Sequence, residues 1–437
     1  MDWLFMTALW AATLPVYDGD FACIGAEKAQ SYVREFNINV QSFGGLELCN
    51  YEADTKKLFN DLMLVEQGQI STPAQNVFIK NFVPQDQYFD WLKRQTYGID
   101  RGNDMPYATA YNSGGYFTMQ DGWAKLSTLG RVGTVIHEAR HTEGYSHRQC
   151  NHGPYQGSRV SGCDHSVSQG GSHGIEMEYY ARVYLAGVNF HPAYQSMARL
   201  MLLGRANFVF NEHAMNQADE LIIRTNDGLI QLRENQRNDH SWASPLAPSL
   251  VMKRTSFGAT LLDSNAKSAW AIDVANNGSA QILEDEYSYY KLLQLNPPSQ
   301  LIDMEEVDQG IRRYMLALSK DGSLYSYVFA EGQWSMPKRH PGATRLATLS
   351  PTGDPGIFLI YGNNRYCRLD PWSLDCAESL QPWPETAKAF LRYRHSTLRL
   401  NHSGRIEELD GQPLPEVGST PVIDAVQIPR YDAFGAI

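Results

Sequence analysis

Between His137 and His147 the chain reads HEARHTEGYSH, a stretch dense in groups that bind metals and move protons. His137 and His141 stand four positions apart. On a helix that spacing stacks both imidazoles on one face, within reach of a single metal ion. Glu138, one position past the first histidine, is rotated by about 100° around the helix axis. It therefore falls beside such an ion rather than on it, where a carboxylate can accept a proton from water. Gly144 follows three positions after His141 and permits the left-handed turn that ends a helix, so that His147 can return to the same point. Three neutral imidazoles with one position left open describe a reactive zinc site. The expectation is one zinc ion per chain, held by His137, His141 and His147, with Glu138 as the catalytic base.

The element that must present these residues is a helix over 128–143. Ser127 or Thr128 can cap it, and Leu129, Val132, Val135 and Ile136 supply an apolar stripe. Further helices are expected over 26–36, 54–67, 86–97, 175–188 and 192–213, where apolar residues recur at intervals of three and four. Gly115–Gln120 reads as a strand bounded by Ser-Gly-Gly and Asp-Gly turn signals. The stretch from 144 to 174 reads as a polar loop rich in glycine and histidine, of a length usual for functional segments.

HExxHxxGxxH is the zinc signature of the metzincin clan of metallopeptidases, and this stretch resembles it at every fixed position, across 11 of 437 residues. The resemblance implies a zincin-like α+β catalytic domain that hydrolyses peptide bonds through water activated at zinc. The strand at 115–120 then fits the edge strand that aligns a substrate. The clan also places a methionine turn beneath the metal. Met177 is the downstream candidate, with Tyr179 two positions on as a stabiliser of the transition state. The same segment reads equally as a helix, with Ile175, Tyr179, Val183 and Ala186 on one face. In that reading Glu178 pairs with Arg182 and is solvated. Glu176 lacks such a partner and is the alternative third ligand to His147. His152, His165 and His173 read first as solvated loop residues; one of them, or Tyr155, could also face a developing oxyanion.

From Asp219 the pattern changes to short apolar strands around tight turns. Leu221–Leu232, Ala269–Leu283, Met315–Tyr327, Ile357–Leu369 and Leu398–Leu409 share this form. Their glycines, Gly228, Gly278, Gly322, Gly362 and Gly404, are spaced by 50, 44, 40 and 42 residues. Asn-Gly and Asp-Gly turns supply the positive φ of tight hairpins. A period of this length predicts a five-bladed β-propeller, one four-stranded blade per repeat. The expected organisation is a signal segment over 1–20, a metallopeptidase-like domain over 21–218 and a propeller-like domain over 219–437. Trp270, Trp334, Trp372 and Trp383 could line a ligand face of the propeller or pack its blades.

Composition narrows the setting. With 37 Lys+Arg against 48 Asp+Glu, the formal charge of −11 offers no basic surface for nucleic acid. No apolar run is long enough to span a bilayer. Trp3–Leu14 resembles the apolar core of a signal peptide, although Asp2 stands where a basic residue is usual. The six cysteines fall into three sequence-local couples, Cys23/Cys49, Cys150/Cys163 and Cys367/Cys376, which suits disulfides in an oxidising compartment. The reading is a secreted, periplasmic or cell-surface zinc endopeptidase acting on protein or peptide substrates, with a propeller that recruits a macromolecular ligand. Two alternatives stand beside it: a non-catalytic adhesion or scaffold protein stabilised by zinc, and a zinc hydrolase of a non-peptide amide.

Overall fold

The computed structural model describes residues 13–15, 18–72, 75–84, 87–105, 108–151, 161–212, 217–233, 236–242, 250–255, 258–263, 268–274, 280–284, 300–308, 313–328, 333–370, 373–394 and 396–431. The signal-like stretch therefore lies outside the described residues, except for Thr13 and Leu14. The protein is multidomain, with α and β content and, among the described residues, several separate sheets, none of them closed. Two compact units comprise Met1–Ser146 with Gly170–Arg199, and His147–Gln169 with Leu200–Ile437.

The first unit contains helices α1 (Ala26–Glu35), α2 (Asp54–Gln67) and α3 (Tyr88–Gln95), strands β1 (Gly98–Arg101), β2 (Ala110–Ser113) and β3 (Tyr116–Met119), then α4 (Asp121–Ala124), α5 (Thr128–Thr142), α6 (Ser172–Ala186) and the beginning of α7 (Pro192–Val209). Helix α5 packs against α2, α3, α4, α6, β2 and β3. Consequently it is buried from Thr128 to Arg140, on all faces rather than along the single expected stripe. Its start is fixed by Ser127, whose hydroxyl accepts from the Gly130 amide at 3.2 Å, a cap worth about 1 kcal/mol.

Arg131 lies within this buried helix. Its guanidinium meets Asp61 of α2 at 2.9 Å and Asp18 at 2.7 Å, tying α5 to α2 and to the chain before α1. Burial alone would drive Asp61 toward its neutral form, and its carboxyl is raised well above the ordinary range despite the neighbouring cation. Cys23–Cys49 closes the segment containing α1.

The sheet of this unit runs β1-β3-β2, with β3 parallel to β1 and antiparallel to β2. The strand expected at an edge is thus central. β2 is the edge strand that meets α5, where Asn112 Nδ2 donates to the carbonyl of Glu138 at 2.5 Å and to Thr142 Oγ1 at 2.8 Å. The error has a plain cause: β1 is too short to announce itself by alternation, yet it pairs with β3 along its whole length.

In the second unit, Cys150–Cys163 and a bridge between Arg148 and Cys163 hold the segment after His147. Five antiparallel sheets follow among the described residues. The first combines β4 (Gln217–Arg224), β5 (Gly228–Arg233) and β6 (Gln236–Ser241) with the last strand, β23 (Asp424–Tyr431), in the order β23-β4-β5-β6. The second is β7 (Val251–Thr255), β8 (Gly258–Asp263), β9 (Ser268–Val274) and β10 (Ala280–Glu284). β11 (Leu301–Asp308), β12 (Arg313–Ser319), β13 (Ser323–Val328), β14 (Gln333–Trp334) and β15 (Lys338–Arg339) form the third. β16 (Ala343–Leu349), β17 (Pro355–Tyr361), β18 (Arg365–Arg368) and β19 (Gln381–Pro382) form the fourth, and β20 (Ala387–Tyr393), β21 (Ser396–Asn401) and β22 (Ile406–Glu408) the fifth.

Apolar side chains join successive sheets. Leu221 and Ile223 pack with Leu391 and Leu398, Ile222 with Met252 and Leu261, and Leu316 with Leu346 and Leu359. Among the expected hairpin glycines, Gly322 has φ +79°. Gly228 serves differently, since a Cβ there would come within 2.0 Å of the His240 carbonyl. Gly278 lies outside the described residues. Trp383 is a packing residue set against Tyr366 and Phe390. Trp372 and the side chain of Trp270 fall outside the described residues. The third disulfide, Cys367–Cys376, completes the three expected couples. Among the described residues no helix is long and apolar enough to cross a membrane.

Candidate metal centre

The candidate residues of the first unit lie on helices α5 and α6. The two helices approach closely because position 133 of α5 is glycine; a Cβ there would stand 1.8 Å from the Tyr180 hydroxyl. That hydroxyl donates to Glu176 Oε1 at 3.1 Å. Glu176 is fully buried, and its other oxygen, Oε2, accepts from two imidazoles: His137 Nδ1 at 3.3 Å and His173 Nδ1 at 3.2 Å. The rings of His137 and His173 have centroids 4.4 Å apart, and those of His137 and His141 5.0 Å apart. Stacking of the i, i+4 histidines on one helical face is therefore as expected.

His141 is held by its own partners. Its Nδ1 faces the carbonyl of Tyr145 and lies 3.0 Å from Ser172 Oγ. Gly144, with φ +87°, makes the turn that brings this carbonyl round. In the second unit, His147 Nδ1 meets Asp164 Oδ1 at 3.2 Å, and Asp164 is itself buried. A neutral imidazole that donates from Nδ1 keeps its lone pair on Nε2, the arrangement seen in metal-ligating histidines. Within the first unit, His137 and His173 belong to a group of histidines that could hold a metal ion.

Glu138 is buried, and its Oε2 has no hydrogen-bond partner among the described residues. Burial, reinforced by the negative charge of Glu176, pushes its carboxyl up to about 8. A cation placed beside it would reverse that shift.

The remaining expected residues resolve as follows. Met177 lies inside α6, fully buried, so it forms no turn. Glu178 pairs with Arg182 at 3.1 Å as the spacing implies, but both are fully buried rather than solvated, and Glu178 also accepts the Lys80 amide at 2.7 Å. Tyr179 packs against Tyr88, ring centroids 5.0 Å apart, and its hydroxyl has no hydrogen-bond partner among the described residues. His165 is exposed, in keeping with a loop residue. His152 and Tyr155 lie outside the described residues. His173 corrects the sequence reading most clearly. Instead of a solvated loop residue it is a buried one in the first turn of α6. The i, i+3 spacing of His173 and Glu176, following Gly170-Gly171-Ser172, is the signal that could have placed it there.

No known protein family matches this sequence, and no curated protein does. Solved structures with weak likeness include apo AztD from Citrobacter koseri, at 12% identity and TM-score 0.21, with 48% of each chain covered. Another is BBS1N in complex with ARL6DN, soaked with mercury, at 10% identity and TM-score 0.22, covering 48% of this chain and 64% of that one. The chain thus spans less than two thirds of either protein.

Proposed function

We propose that this chain is an exported, metzincin-like zinc endopeptidase with a C-terminal five-bladed β-propeller. The observation that carries the metal reading is the state of four imidazoles. His137, His141, His147 and His173 each have Nδ1 on an acceptor: Glu176, the Tyr145 carbonyl, Asp164 and Glu176 again. Rings with that tautomer, His137 and His173 buried and His141 and His147 half-buried, are oriented for coordination through Nε2. The donor set fits zinc, and the buried carboxylates of Glu138 and Glu176 suit a divalent cation. A bound zinc ion would polarise a carbonyl and make water acidic at neutral pH. Glu138, whose Oε2 has no hydrogen-bond partner among the described residues, would take the proton and later return it to the leaving amine. The β2 edge beside α5 offers backbone groups to an extended peptide.

Support for the propeller is the succession of neighbours within the second unit. The first strand of each later sheet packs beside that of the next: β7 by β11, β11 by β16, and β16 by β20. β20 then packs beside β23, and β23 beside β7. Pairing of the last strand β23 with β4 completes the first sheet with the end of the chain. The three disulfides support export.

A second reading, a zinc-stabilised scaffold without activity, is favoured by one observation, the fourth imidazole. His173 added to the three signature histidines would close a tetrahedral site. Substituting Glu138→Gln decides between the two. The variant is expected to keep one zinc per chain and lose at least a hundred-fold in hydrolysis of a peptide library that the parent cleaves. Equal cleavage by parent and variant sinks the mechanism. A zinc-loaded parent that cleaves no peptide leaves the scaffold reading.

A further inference from the structure

Resting on that metal-centre reading, we infer that His173, in place of His141, is a metal ligand outside the HExxHxxGxxH spacing, which leaves the fourth position open, and that Glu176 is the positioning residue that orients His173 and His137 together. Both Nδ1 atoms converge on one oxygen of Glu176, at 3.2 and 3.3 Å. The same carboxylate is anchored on its other oxygen by Tyr180, so it cannot swing away from either ring without losing a buried hydrogen bond. His173 sits one helical turn before Glu176 on α6, which fixes the pair without help from any loop. His137 and His173 each offer a ring nitrogen within 4.8 Å of the other, as two ligands of one metal ion would. Glu176 faces the Nδ1 edges of both rings, so its place is behind the ligands, where carboxylates orient metal-binding imidazoles.

The alternative is a buried carboxylate that merely satisfies two core histidines. The two differ in what metal does. The full chain is stripped with chelator, reloaded with zinc or cobalt(II), and titrated against a competing chelator. The parent should bind one zinc; His173→Gln should bind at least ten-fold more weakly, with an altered visible cobalt spectrum; Glu176→Gln should lose about 10–100-fold. Unchanged affinity and spectrum in His173→Gln overturns the inference while leaving the metal centre standing. A parent that binds no zinc overturns both. Should His173→Gln not fold, the parent loaded with copper(II) and treated with ascorbate provides the test. Oxidation mapped to His137 and His173 supports the assignment, and oxidation of His137 alone overturns it.

Discussion

The Tyr180 hydroxyl occupies the space in which a side chain at position 133 would begin: a Cβ on Gly133 would come within 1.8 Å of it. This contact sets how closely α6 can lie on α5. It also points the Tyr180 hydroxyl at Glu176, and through Glu176 it supports His137 and His173.

Gly133→Ala should therefore damage both stability and metal binding. Overpacking a rigid helix contact costs about 1–3 kcal/mol, because neither backbone can retreat cheaply. Thermal denaturation should show a lower Tm, and zinc titration a weaker site. An unchanged Tm would mean that the helices separate more freely than their packing indicates.

Asp164 holds His147 as Glu176 holds His137. Asp164→Asn should weaken zinc affinity by about 10–100-fold while leaving the fold intact, the usual effect of losing an orienting partner. Chelator competition with circular dichroism as a control separates the two effects.

The disulfide Cys150–Cys163 ends one residue before Asp164 and closes a segment with sequence separation 13. Replacing both cysteines with serine should cost about 3 kcal/mol by the loop-entropy account. Zinc affinity should fall in the same variant, since Asp164 and His147 both border the bridge. Urea denaturation and zinc titration of that variant check the two halves of the prediction.

Arg131 between Asp61 and Asp18 is a buried cation with two carboxylates. Arg131→Met leaves both without their partner and should destabilise by about 3–5 kcal/mol. Adding Asp61→Asn should recover part of that loss, because one stranded charge is removed. Equilibrium unfolding of the single and double variants measures the coupling.

One pH effect arises in the second unit. Lys253 lies 2.6 Å from Asp303 and 3.2 Å from Glu305, so one ammonium serves two buried carboxylates. Asp303 also accepts the Leu346 amide at 2.7 Å and is the better satisfied of the two. Burial pushes Glu305 up to about 7; Lys253 draws it down and Asp303 adds to the rise. The folded state therefore holds this proton more tightly than the unfolded one. Stability should decline as pH rises from the unfolded value near 4.5 through about 7, and then level off. The contribution is at most about 3 kcal/mol, and Glu305→Gln should remove it. Urea midpoints of parent and variant at pH 5 and pH 8 provide the comparison.

Local information in the sequence was enough for much of this protein. The residue spacing of HEARHTEGYSH set His137 and His141 on one helix face with a glycine turn after it, because helical periodicity and positive φ are properties of a few consecutive residues. Pairing of the cysteines within each region followed from their order along the chain. The helix over 54–67 has the bounds that apolar recurrence gives it, and the one expected over 128–143 starts at its Ser127 cap and ends at Thr142. What tertiary structure alone decided was which groups meet across elements. Whether Glu178 faced water or the core, whether β3 was an edge or a centre, and whether His173 stood in solvent or against His137 each depended on a partner far away in sequence. Lys80, Gly98 and His137 are those partners, and no periodicity at positions 178, 116 or 173 encodes them. Burial and pairing are collective properties of the packed chain, and they turned two residues read as solvated into the supports of its interior.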